Sequence, residues 1–252
     1  MLVEGNGRDL SAIQDEEIDL IVTDYPWEDK KSNRGGNRNF VSTYEEETFR
    51  YTLEDFKEKA RVLKDGAFLV EFLPAENENN FDELYRIKKL AQEAGFQYYA
   101  KVSWKKGTFV SNTGRKSKNT EDVMIFSKGK ARSLRLDAKK TKQMGEPQYM
   151  SGSNGMLPTM FDVQPASTKQ KIHQSEKPVL LLEQIIEHLS LEGEVVLDQF
   201  AGSGNTGVAA LNKNRSCILI ELLHENIQKI KARLTETFGE VTQTFSMQTA
   251  LA

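Results

Sequence analysis

Apolar positions along the chain fall into two kinds of pattern. Short unbroken runs at Ile18–Thr23, Ala67–Leu73, Val195–Asp198 and Ser216–Glu221 predict strands covered on both faces of a parallel sheet. Elsewhere apolar residues recur every three or four positions, which predicts helices. The first is Thr52–Leu63, with Thr52 as N-cap and Asp55 in an acidic first turn. The others are Asn80–Ala94 closed by Gly95, Pro178–Ser190, one running to about Asn212, and one from about Glu225 to Thr235. Leu2–Glu4, Phe96–Trp104 and Asp122–Ser127 read as further strands, and Gly5-Asn6-Gly7 as a turn. This alternation predicts an α/β fold, a doubly wound, mostly parallel seven-stranded sheet.

Three stretches break the pattern. Residues 28–43 are polar and read as a mobile loop, and Lys105–Glu121 as a basic hairpin or loop. From Lys128 to His173 the periodicity fades, which predicts an insertion outside the main sheet. The chain therefore divides into a first half of one domain at 1–128, an insertion at 129–172, a second half at 173–240 and a tail at 241–252. A length of 252 residues suits one α/β domain with such an insertion. No run is long enough to span a membrane and no signal peptide opens the sequence, so a cytoplasmic protein is expected. The single cysteine, Cys217, lies in an apolar strand and reads as a buried hydrophobe; with three histidines in the chain, no metal site is expected.

Charge changes the picture. The net is −3, yet residues 101–143 carry 13 Lys and Arg against 3 Asp and Glu, while the rest of the chain nets −13. Segregation of this kind predicts a face that meets phosphates, with Lys105, Lys106, Arg115 and Lys116 as candidates and Arg34 and Arg38 as a second group.

Two strand ends carry candidate chemistry. Val195–Asp198 runs into Gln199-Phe200-Ala201-Gly202-Ser203-Gly204-Asn205-Thr206, a glycine turn that lets the backbone approach a ligand before a helix begins. Glu221 ends the next strand, 23 residues beyond Asp198, where a carboxylate can accept hydrogen bonds from ribose hydroxyls. The pattern is not GxGxxG, and GxxxxGK[ST] is absent, which argues against a dinucleotide site and a nucleotide triphosphatase. Ile18–Thr23 runs into Asp24-Tyr25-Pro26-Trp27. There Asp24 and a main-chain carbonyl can accept hydrogen bonds from a planar amino group, Pro26 stiffens the turn, and Trp27 offers a stacking face.

Together these elements resemble the beta group of S-adenosylmethionine-dependent DNA amino-methyltransferases, in which the clamp precedes the cofactor loop. The resemblance spans about Leu2 to Leu234. It implies a Rossmann-like methyltransferase fold with S-adenosylmethionine as cofactor and double-stranded DNA as partner. It also implies that Asp198, Phe200, Gly202, Gly204 and Thr206 line the methionine end of the cofactor while Glu221 holds the ribose. His173-Gln174-Ser175-Glu176-Lys177-Pro178 is similar to the family's H-P-[ST]-[EQ]-K-P element, which places His173 and Lys177 at the methionine moiety, with Gln174 standing for a proline. Gly5-Asn6 takes the place of a Gly-Asp pair near the adenine, with Asn6 for Asp and Asp9 close enough to serve instead. The clamp differs from the usual D-P-P-[YW] at one place, Tyr25, whose carbonyl takes the second acceptor role. Asp24 rather than Ser implies adenine N6 as the target, flipped from the duplex onto Trp27. Methylation of a cytosine ring carbon is not expected, because that chemistry needs a thiolate nucleophile. The short insertion at 129–172 implies a short recognition site or help from a second subunit in a homodimer. Two alternatives stay open: an enzyme acting on RNA adenine, and a degenerate partner subunit that only binds nucleic acid.

Overall fold

The structure, a computed structural model, describes residues 1–26, 49–107, 120–134, 156–165 and 176–239, and the backbone alone of 244–246. In chain order the elements are β1 Leu2–Glu4, β2 Ile18–Thr23, α1 Leu53–Val62, β3 Leu63–Pro74, α2 Phe81–Glu93, β4 Phe96–Lys105 and β5 Thr120–Lys128. They continue with β6 Met160–Asp162, α3 Val179–Leu189, β7 Val195–Asp198, α4 Asn205–Asn212, β8 Ser216–Glu221, α5 His224–Phe238 and β9 Thr244–Ser246. Local chemistry sets several boundaries. Thr52 and Asp55 form a capping box at the start of α1: the Asp55 N–H donates to Thr52 Oγ1 at 3.4 Å and the Thr52 N–H to the Asp55 carboxylate at 2.7 Å. Gly95, with φ +95°, lets the chain leave α2 in the left-handed region.

The strands form one sheet in the order β6-β4-β5-β3-β2-β7-β8-β1-β9. Only β5 runs antiparallel to its neighbours, β3 and β4. Helices α1 and α2 cover one face through Phe56, Val62, Leu84 and Ile87, packed on Ile21, Leu69 and Leu197. Helices α3, α4 and α5 cover the other through Leu182, Ile186, Ala209 and Ile230, packed on Leu20, Val22 and Val196. Each interior strand thus alternates between two apolar layers, which is why the central runs read as continuously hydrophobic. Cys217 is a buried, unpaired member of the second layer.

The expected seven strands form the body of the sheet, and two three-residue strands, β6 and β9, extend its edges. β6 corrects the expectation that the whole 128–173 stretch leaves the sheet, because it pairs in parallel with β4, Trp104 opposite Phe161. Both rings are buried, and the Trp104 indole N–H donates to the Val163 carbonyl at 2.8 Å. A buried indole needs such an acceptor, and the returning strand supplies it. No helix among the described residues is long and apolar enough to cross a membrane.

β2 and β7 are neighbours, and the chain leaves them in opposite directions: β2 leads through α1 to β3, β7 through α4 to β8. The crevice beyond their carboxyl ends is the switch point where open α/β sheets bind ligands. Both motifs picked out in the sequence end there.

Candidate active site

The turn after β7 is built by its own carboxylates. Asp198 accepts the Phe200 N–H at 3.1 Å and the Thr206 hydroxyl at 2.6 Å. Burial lifts its pKa to about 7 against the pull of those two bonds, and the nearby charges of Asp24 and Glu221 push the same way as burial. Glu221 accepts the N–H of Gly202 at 2.9 Å on one oxygen, and the Leu223 N–H at 3.0 Å and Asn226 amide at 3.2 Å on the other. Gly204 sits at φ +76°, and a Cβ there would lie 2.8 Å from the Ile230 side chain. The amino-terminal turn closes against this loop: Gln199 Nε2 donates to the Gly7 carbonyl at 2.7 Å, and a Cβ on Gly7 would lie 2.0 Å from the Gln199 carbonyl oxygen. Asn6 and Asp9 belong to that same turn. Asn6 accepts the Arg8 N–H at 3.0 Å and Asp9 the Ser11 N–H at 3.0 Å, the Ser11 contacts holding the Asp9 carboxyl below its usual range. Both line a cavity of about 290 Å³ with Arg8, Thr52 and Asp55.

The turn after β2 is held differently. The Tyr25 ring is buried 4.1 Å from the Tyr51 ring and 5.6 Å from that of Phe49. A tyrosine at this place therefore serves as an anchor, and its burial removes the rotational freedom that a non-proline residue would bring. Beneath it Lys59, fully buried, donates to Tyr51 Oη at 2.7 Å and to Glu71, and Tyr51 donates to Glu71 at 3.0 Å. Burial lowers the Lys59 pKa and raises that of Glu71, each change opposed by the partner's charge.

Asp24, partly exposed, accepts a hydrogen bond from Lys177. Lys177 reaches Glu121, on β5, at 3.2 Å, and Glu121 pairs in turn with Lys106. Burial raises the Asp24 pKa against the attraction of Lys177. Burial works against the Lys177 charge as well, yet Asp24 and Glu121 outweigh it and raise the lysine's pKa.

The structure thus brings Asp24, Tyr25 and Pro26 to the same crevice as Asp198, Phe200, Gly202, Gly204, Thr206 and Glu221. Lys177 arrives too, with its ammonium on Asp24. Trp27, Arg34, Arg38, Arg115, Lys116 and His173 lie outside the described residues. The two described phosphate candidates are engaged with carboxylates: Lys105 with Asp162 at 2.9 Å and Lys106 with Glu121. The same holds for Lys101 with Asp122 at 3.2 Å and Arg132 with Glu194 at 2.6 Å. The basic stretch neutralises itself in large part where it is described, because each of these cations lies beside an acid that a different segment supplies.

Three site residues carry no sequence signal of their own. Glu121 is a polar residue at a strand's start, Gly7 is demanded by a close backbone approach, and Phe49 bridges Phe200 at 5.5 Å and Tyr25 at 5.6 Å. Only the aromatic character of Phe49, just before an N-cap, hinted at a docking role. Among the described residues no group of three or more His, Cys, Asp or Glu could hold a metal ion.

A doubly wound sheet with a glycine turn and an acidic clamp at one switch point defines a Rossmann-like fold of the methyltransferase type. The sequence model of the DNA methylase family matches residues 18–232, and the chain belongs to that family. Among its relatives, the type II methyltransferase M.HpaI of Haemophilus parainfluenzae is 29% identical over 236 residues, covering 91% of this chain and 72% of that one. M.HinfI of Haemophilus influenzae is 29% identical over 241 residues, covering 90% and 66%. The crystal structure of a DNA modification methylase from Thermus thermophilus, complexed with S-adenosyl-L-methionine, superposes with a TM-score of 0.64 at 20% identity, covering 98% of this chain and 99% of that one.

Proposed function

We propose that this chain is a site-specific DNA adenine methyltransferase, moving a methyl group from S-adenosylmethionine to the N6 amino group of an adenine flipped out of the duplex. The carrying observation is the meeting of Asp24 and Asp198 at the ends of adjacent strands, one beside an amine clamp and the other inside a glycine turn. The residues suit the cofactor. Asp198 is buried with a hydroxyl and an amide as partners, so a cationic sulfonium beside it would relieve an unbalanced carboxylate. Glu221 spends its bonds on backbone and one amide, and its Gly202-bonded oxygen keeps a lone pair for a ribose hydroxyl. S-adenosylmethionine supplies an electrophilic methyl on sulfur.

An exocyclic adenine amine is a weak nucleophile, since its lone pair is delocalised into the ring. Asp24 and the Tyr25 carbonyl accept its two N–H bonds and hold the nitrogen in line for attack. Positioning and electrostatics supply most of the rate gain. Trp27 supplies the stacking face, residues 129–172 read the sequence, and the basic residues of 101–143 that lie outside the described parts meet phosphates.

The test is transfer of labelled methyl from S-adenosylmethionine to duplex DNA, followed by nucleoside mass spectrometry. N6-methyladenine that disappears in Asp24→Ala supports the reading. N4-methylcytosine as the product overturns the choice of base, and preference for structured RNA over duplex DNA overturns the choice of polymer. A target-site 2-aminopurine that stays quenched on binding overturns base flipping.

A further inference from the structure

Four charges alternate in sign from the rim of the crevice inward: Lys106, Glu121, Lys177 and Asp24. They come from four separate places in the chain, the end of β4, the start of β5, the segment before α3 and the end of β2. Lys177 is nearly buried and has three N–H donors. Two go to Asp24 and Glu121, and the ammonium also lies 5.0 Å from the centre of the Phe72 ring. Those contacts account for the ammonium without a cofactor carboxylate. The geometry points away from the methionine-binding role that the resemblance implied and toward the clamp.

We propose that Lys177 and Glu121 are positioning residues of the amine clamp: Lys177 holds the Asp24 carboxylate ionised and aimed into the crevice, and Glu121, tethered by Lys106, holds Lys177. The proposal rests on the methyltransferase reading of the site and goes beyond it by adding two residues that set the state of the clamp. The need for them follows from the surroundings of Asp24. The charged groups facing it are Lys177, Glu121 and Lys106, then Asp198 from β7 and Glu71 from β3, with Glu71 already satisfied by Lys59. Tyr25 adds a buried phenol. Without Lys177, Asp24 would face three other carboxylates in a crevice that already disfavours charge, and a protonated Asp24 has lost acceptor capacity for the amine.

The test compares Lys177→Met, Lys177→Arg and Glu121→Gln with the wild type. Two measurements are made on each: the pH profile of single-turnover methyl transfer to duplex DNA, and equilibrium binding of S-adenosylhomocysteine. Lys177→Met should slow transfer by about 100-fold at neutral pH. Its acid limb should move to higher pH, while cofactor affinity stays within about threefold of wild type, under half a decade. Lys177→Arg should recover at least about tenfold of the rate, and Glu121→Gln should shift the limb the same way by less. Cofactor affinity falling in step with rate, with the acid limb unmoved, would assign Lys177 to the cofactor and overturn the proposal. A wild-type profile in Glu121→Gln would overturn the chain of charges. If Lys177→Met does not fold, Lys177→Arg and Glu121→Gln decide the matter by the same two readouts.

Failure of the methyltransferase reading would show separately, as no transfer by the wild type under any condition. The titration of Asp24 by carboxyl carbon NMR, assigned through Asp24→Asn, then still reads the pair. A pKa that rises in Glu121→Gln and Lys177→Met supports the coupling, and one that stays put overturns it.

Discussion

The ends of β2 and β7 are neighbours in one sheet, and each closes on a buried or half-buried aspartate, yet they are stabilised by opposite means. Around Asp198 the partners are neutral: a hydroxyl, backbone amides and the carboxamide of Asn226 on Glu221. Around Asp24 they are charged, with Lys177, Glu121 and Lys106 beside it and Lys59 and Glu71 below. Neutral hydrogen bonds fix a backbone shape and leave a local need for positive charge. Ion pairs fix the ionisation state of a side chain and leave it able to accept hydrogen bonds. The first arrangement suits a ligand that brings a cation, and the second a substrate that brings N–H donors.

This contrast can be broken at several points. The largest effect on stability is expected at Lys59→Met, which leaves Glu71 buried without its cation. Breaking such a pair costs about 3–5 kcal/mol, read from denaturant unfolding. A loss under about 1 kcal/mol would mean that the charges beneath Tyr25 do not support the clamp. Next comes Asp24→Ala, expected to slow single-turnover transfer by roughly 100- to 1,000-fold with cofactor affinity unchanged. Asp198→Asn should do the reverse, weakening cofactor binding by about tenfold, or roughly 1.4 kcal/mol.

Asp198 also gives the contrast a pH signature. Its value in the fold, about 7, lies above the ordinary 3.8. The folded chain therefore holds that proton more tightly than the unfolded chain. The contribution to stability is complete below about pH 4 and is lost as pH rises through about 7. The free protein should lose stability over that window, and Asp198→Asn should flatten the slope, which thermal melts at a series of pH values would show. The smallest effect is expected at Thr206→Val, which removes one hydroxyl from Asp198 and should cost about 1 kcal/mol.

Most of the sheet was legible because its strands are buried on both faces and its helices bury one. The capping box at Thr52 and Asp55, the stop at Gly95 and both strand-end motifs are local facts that sequence spacing can carry. β6 was not legible, because three residues with one large apolar side chain set no period, and what places them is the Trp104 indole on another strand. Lys177 stood out in the sequence through its element, but an element fixes a position along the chain and not the atom a side chain faces. Glu121 could not be found at all. Its place at the site exists only because β5 brings it beside a lysine 56 residues further on. The charge count of 101–143 misled in part for the same reason: Lys105, Lys106 and Arg132 meet acids from other segments.

β1 pairs in the sheet with β8 and β9, with Leu2 opposite Leu219 and Thr244. During synthesis this strand must wait until residues beyond 216 have emerged, on the order of ten seconds or more at about 5–20 residues per second. Pairings of such long sequence separation form late because their loop entropy is met before any contact rewards it. The Gly5–Gly7 turn that packs on Gln199 follows β1 directly, so the crevice closes only after β8 is available. A ribosome-stalled chain lacking its last third would leave the first residues made without a neighbour, held open until the last strands arrive.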